Sequence, residues 1–112
     1  MDFSQEEIKG IIIKHVHLSR ATKDHAEKFK KFLINKSGDL PGKIIVNLNE
    51  CEFIDSTFIS ALLTGLKEIN QNGGSIKIVA AYPEVLSVLE LTGMMKVFEI
   101  HKNIDEAVIS FK

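Results

Sequence analysis

Residues 8–18, IKGIIIKHVHL, are rich in β-branched side chains, and residues 43–48, KIIVNL, put Ile44, Val46 and Leu48 on one face with Ile45 on the other. Both patterns predict strands. Between them Ala26, Phe29 and Phe32 or Leu33 recur at helical intervals, while Asp24 with Lys28 and Glu27 with Lys31 form acid-first pairs four apart on the outer side. This spacing predicts a surface helix. Ser37-Gly38-Asp39-Leu40-Pro41-Gly42 is dense in breakers and reads as the loop back to the second strand.

Beyond Ser56, the positions Ile59, Leu62, Leu63, Leu66 and Ile69 mark one helical stripe, which Asn72-Gly73-Gly74 should stop. Ser75 to Ala80 is the next predicted strand. Pro83 suits a first helical turn, with Val85, Val88, Leu89 and Thr92 continuing the period up to Gly93. A short strand over Lys96 to Ile100 and a terminal helix carrying Ile104, Ala107, Val108 and Phe111 complete the chain. Strands that alternate with helices need crossover connections, and strands apolar on both faces need helices on each side. The expected fold is therefore α/β, with a mostly parallel sheet of about four strands flanked by helices.

At 112 residues with 45% hydrophobic content, the chain has the size of one compact domain, spanning 1–112. Fourteen basic against 15 acidic residues leave a net charge of -1, which gives no electrostatic attraction to a phosphate backbone, so direct nucleic-acid binding is not expected. Cys51 is the single cysteine, which excludes an internal disulfide, and it reads as a small core residue. No apolar run approaches membrane-spanning length, and the start Met1-Asp2-Phe3-Ser4-Gln5-Glu6-Glu7 is acidic where a secretory leader is basic. A cytoplasmic protein without membrane insertion is the expectation.

Several chemistries lack their residues. Gly73-Gly74, the double glycine, follows a helix and precedes a strand, which is the wrong end for cradling a phosphate. His15 and His17 share a strand face and would make a metal site only if His25 or His101 came near; solvent-exposed strand histidines are the commoner explanation. No Gly-x-Ser-x-Gly elbow surrounds Ser56. Neither a catalytic set, a metal site nor a cofactor is expected.

What remains is Asp55-Ser56-Thr57, where a strand hands over to a helix. One reading makes Ser56 an N-cap, a role worth ~0.5 to 2 kcal/mol. The other makes a hydroxyl there a functional group, since α/β sheets expose such groups at strand ends entering helices.

At this point the stretch IIVNLNECEFIDSTFISALLTGLKEINQNGGSIKIVAAYPEVLSVLELTGMMKVFEI resembles the body of a STAS domain, the family that includes bacterial anti-sigma factor antagonists. The resemblance runs from about Ile8 to Phe111 and rests on Phe53-Ile54-Asp55-Ser56-Thr57, the Asn72-Gly73-Gly74 turn and Val88-Leu89-Glu90-Leu91-Thr92-Gly93. It implies a mixed sheet, no enzymatic activity, and a regulatory phosphoserine at Ser56, with Thr57 as the alternative acceptor. It further implies an anti-sigma factor serine kinase and a serine phosphatase as partners, with Asp55, Ser56, Thr57, Phe58 and Ser60 at the contact. Two departures stand out. The family's glycine-hydrophobic-glycine after the hydroxyl pair is Phe58-Ile59-Ser60 here, and the aspartate often found in the second strand is Asn47. Phe58 is either a hydrophobic anchor for a partner or a core residue. Other members of the family imply a different role, a non-switching scaffold subunit of a lipid-transport ATPase or signalling assembly.

Overall fold

A computed structural model describes residues 2–34 and 42–111. Its main sheet has five strands among the described residues, not about four: β1 (Phe3–Ile8), β2 (Ile11–Val16), β4 (Lys43–Asn47), β6 (Ser75–Val79) and β7 (Glu99–His101), in the order β1-β2-β4-β6-β7. The β1–β2 pair is antiparallel and every other neighbour is parallel. A separate two-stranded parallel pair joins β3 (Arg20–Ala21) to β5 (Phe53–Ile54). The helices are α1 (Lys23–Ile34), α2 (Ser56–Gln71), α3 (Pro83–Leu91), α4 (Met94–Val97) and α5 (Ile104–Ser110).

All four predicted strands have different bounds in the structure. The run 8–18 is not one strand: Ile8 ends β1, Ile11–Val16 form β2 as the second arm of a hairpin, and the two-residue turn between them, Lys9-Gly10, has positive φ at both positions, the twist that two-residue hairpins require. Its first arm, β1, is an edge strand whose Gln5, Glu6 and Glu7 face solvent, so it carries no apolar alternation to detect. The strand expected from Lys96 to Ile100 begins instead in the short helix α4, whose Met94 is buried; the backbone is extended from Phe98 and paired as a strand from Glu99. Leu48 and Ala80 lie just past the ends of their strands. Most of the predicted 37–42 loop lies outside the described residues.

Strand alternation divides the core in two. Val16, Ile44, Val46, Leu48 and Ile78 face α1, α2 and α3 in the larger cluster, while Ile11, Ile13, Ile45 and Val79 face α5 in the smaller one. Ile44 and Ile45 thus point to opposite layers, as their alternation requires. Two buried lysines donate to carbonyls in the last turns of helices, where carbonyls lack the intrahelical partner of earlier turns. Lys14 Nζ donates to the Phe32 carbonyl at 3.1 Å and to Gln5 Oε1 at 2.9 Å, and burial pushes its pKa down. Lys77 Nζ donates to the Ser110 carbonyl at 3.0 Å and to its Oγ at 2.7 Å, beside the Phe111 ring. The Lys77 ammonium, followed by His101, holds the Glu99 carboxyl below its usual value.

The expected stop of α2 is present: Gly73 adopts the left-handed conformation at φ 87, and Gly74 N–H returns to the Ile69 carbonyl at 2.9 Å. Within α2, Gly65 allows α1 to approach closely, since a Cβ there would lie 2.5 Å from Leu33 Cδ2. Gly65→Val should therefore cost about 1–3 kcal/mol through overpacking, and urea unfolding compared with the parent measures it.

Candidate functional site

The Asp55 turn is held from both sides. Glu52 and Phe53 donate their N–H groups to the Ser19 carbonyl at 2.8 and 3.1 Å, and Asp55 N–H donates to Ala21 at 3.0 Å, which fixes β5 against β3. Above that pair the Arg20 guanidinium sits 4.4 Å from the centre of the Phe53 ring.

Asp55, in extended conformation, is the N-cap of α2. Its Oδ1 accepts from Phe58 N–H at 2.8 Å, and its Oδ2 accepts from Lys23 N–H, also at 2.8 Å, at the start of α1. One carboxylate caps two helices. This corrects the reading of Ser56 as the cap: Ser56 and Thr57 are the first two helical residues, and both are exposed. Among the described residues neither hydroxyl has a hydrogen-bond partner. Ser60, one turn on from Ser56, is also exposed. Ser56, Thr57 and Ser60 therefore form one open hydroxyl-bearing face.

Phe58 resolves the other open alternative. It is 0% exposed and its ring stacks on Phe29 with centroids 4.4 Å apart. The bulky side chain fills the core between α1 and α2, so it shapes the turn from beneath and is not an exposed anchor. Cys51 is likewise fully buried, and desolvation first, then the nearby Glu50 charge, push its thiol up to about 12.

For the strand histidines His15 and His17, solvent exposure is the commoner expectation. Instead His15 and His17 are partly buried, stacked with centroids 5.7 Å apart, and paired with Glu6 and Glu50 respectively. His25 lies near Asp2 and His101 near Glu99. No group of three metal-ligating side chains forms among the described residues, and no described helix is long and apolar enough to cross a membrane. Gly73-Gly74 lies between α2 and β6. Sequence reasoning missed the polar network around His15, Asn47 and Asn49. Asn47 was visible only as a departure from the family pattern, because its partner on β2 is 32 positions away.

This arrangement is an α/β domain that presents a capped helix start with exposed hydroxyls. The family model described as "STAS domain" matches residues 5–107, and the chain belongs to that family. It is 32% identical over 89 residues to a Thermotoga maritima protein provisionally described as an anti-sigma factor antagonist, covering 76% of each chain. It is also 32% identical over 60 residues to the anti-sigma F factor antagonist of Paenibacillus polymyxa, covering 54% of this chain and about half, 51%, of that protein. In structure it is similar to an anti-sigma-factor antagonist (STAS) domain protein from Planctomyces limnophilus, with TM-score 0.86, 21% identity and coverage of 99% and 98%.

If Asp55 serves both helices, Asp55→Ala should lose about 1–3 kcal/mol, more than a single ordinary cap. Asp55→Asn should recover only part, since its amide nitrogen cannot accept from the second N–H. Chemical unfolding of the two variants beside the parent checks the order.

Proposed function

We propose that this chain is an anti-sigma factor antagonist that works by partner switching in the cytoplasm and has no catalysis of its own. The unphosphorylated form docks an anti-sigma factor serine kinase through the Asp55 turn and the exposed face of α2, and a sigma factor is released. Phosphorylation of Ser56 by that kinase ends docking, and a serine phosphatase resets the switch. Ser56 is preferred to Thr57 as acceptor on the family position.

The observation that carries this reading is the division of labour at the turn. Because Asp55 supplies the cap, the Ser56 hydroxyl is released from structural duty and points to solvent. The energetics separate folding from docking. A phosphate adds about -1.5 to -2 charge units. The start of α2 favours it by ~0.3–1 kcal/mol. Asp55 opposes it by roughly 1–4 kcal/mol at contact distance for dielectrics between water and a protein surface. The balance is small beside the stability of a domain, ~5–15 kcal/mol. In an interface the same charge would be desolvated without a partner, at several kcal/mol, and each ~1.4 kcal/mol is tenfold in affinity.

Calorimetry with the anti-sigma kinase of the same organism should show Ser56→Asp binding at least about tenfold more weakly than the parent, with its thermal midpoint little changed. Ser56→Ala should bind like the parent and accept no phosphate, whereas Thr57→Ala should still accept it. Equal binding by Ser56→Asp would sink the switching mechanism and favour the non-switching scaffold.

A further inference from the structure

A second device lies on the opposite face of the sheet, at the carboxyl ends of the parallel strands. In the cross-strand register Ser4 faces His15, His15 faces Asn47, Asn47 faces Val79, and Val79 faces His101. Asn47, 8% exposed, connects this row to the segment that runs on to the Asp55 turn. Its Oδ1 accepts the backbone N–H of Asn49 at 3.0 Å, and its Nδ2 lies 2.9 Å from His15 Nδ1. A backbone N–H can only donate, so the amide orientation is determined: Oδ1 faces Asn49 and the NH2 faces the ring. His15 Nδ1 must therefore accept. The other ring nitrogen, Nε2, meets the Glu6 carboxylate and must donate. Both contacts select the same neutral tautomer.

We propose that His15, Asn47 and Asn49 form a proton-sensitive latch on the β4–β5 segment. A proton on His15 Nδ1 would confront the Asn47 NH2, donor against donor. The amide can turn its oxygen to the ring only by presenting its NH2 to Asn49 N–H, which then loses its acceptor. Charged His15 and a latched Asn49 are mutually exclusive.

His17 is the built-in contrast. Its Nδ1 lies 2.6 Å from Glu50 Oε2, and its Nε2 lies 2.7 Å from Ser4 Oγ, a hydroxyl able to donate or accept. Hydrogens on both ring nitrogens of His17 would find acceptors, whereas one on His15 Nδ1 would meet the Asn47 NH2. Among the described residues, the polar and charged groups facing His15 are Ser4 and Glu6 from β1, His17 from its own strand with Glu50 behind it, and Asn47 from β4. From α5, the helix on this face, Ile104, Ala107 and Val108 contribute only apolar surface to the core cluster.

What the latch holds is the start of the loop. Asn49 also donates its side-chain Nδ2 to the Lys102 carbonyl at 3.1 Å, linking the loop to the connection between β7 and α5. Among the described residues its Oδ1 is buried without a partner, so losing the backbone bond leaves the residue with one protein contact fewer and an acceptor already unpaired. Acidification should loosen residues 48–52 while β4 itself stays paired.

The test uses the protein alone, so its failure leaves the docking proposal untouched. Long-range nitrogen–proton NMR correlation at neutral pH should show His15 with its proton on Nε2. As pH falls through the His15 transition, hydrogen-exchange protection at Asn49 N–H should drop about two- to tenfold, the equivalent of one net hydrogen bond. In Asn47→Asp, a carboxylate can accept from both Asn49 N–H and a protonated Nδ1, so protection at Asn49 should persist when His15 is charged. A proton on His15 Nδ1 at neutral pH, unchanged Asn49 protection in the parent, or the parent's loss repeated in Asn47→Asp would each overturn the proposal.

Discussion

The candidate surface depends on one carboxylate with two obligations. Asp55 receives N–H donors from the first turns of α1 and α2, and its own N–H is held by Ala21 in the small β3–β5 pair. Helix starts carry orphan donors that need acceptors when water is excluded. Satisfying both starts with one side chain brings the two helices to a common origin, from which Phe29 and Phe58 can stack and Gly65 can admit Leu33. The exposed hydroxyls of Ser56 and Thr57 are a consequence, since the cap is already filled.

A similar economy governs the buried polar groups. The sheet places Lys14 in one layer and Lys77 in the other, and each ammonium ends among carbonyl or side-chain oxygens near a helix terminus. An unpaired buried charge would be costly, and these pairings let lysines occupy otherwise apolar strands. Asn47 follows the same rule with less latitude. Its two amide ends face a fixed donor and a ring nitrogen, so its hydrogen bonds favour one tautomer of a neighbouring ring as well as fixing their own geometry.

Much of the architecture was legible from local pattern. The stripe Ile59, Leu62 and Leu66, the alternation of Ile44 to Val46, and the Asn72-Gly73-Gly74 stop all reflect interactions within a few residues, which is why periodicity reports them. β1 was not legible, because an edge strand facing water replaces the apolar alternation with Gln5, Glu6 and Glu7. The pair β3–β5 was hidden for another reason: two-residue strands carry no period, and their register depends on a partner more than thirty positions away. At the site, the Asp55-Ser56-Thr57 triplet marked the place but left its duties unassigned, since all three are good caps.

By itself the sequence determined the α/β alternation, the principal helices and the triplet at the start of α2. Those follow from side-chain periodicity and from the backbone preferences of glycine, proline and capping residues, which act at short range. Tertiary structure alone decided that Asp55 and not Ser56 fills the cap, that Phe58 lies in the core, and that His15 is tied to Asn47. Each of those outcomes is set by a partner distant in the chain, Lys23, Phe29 or β4, whose arrival only folding brings about.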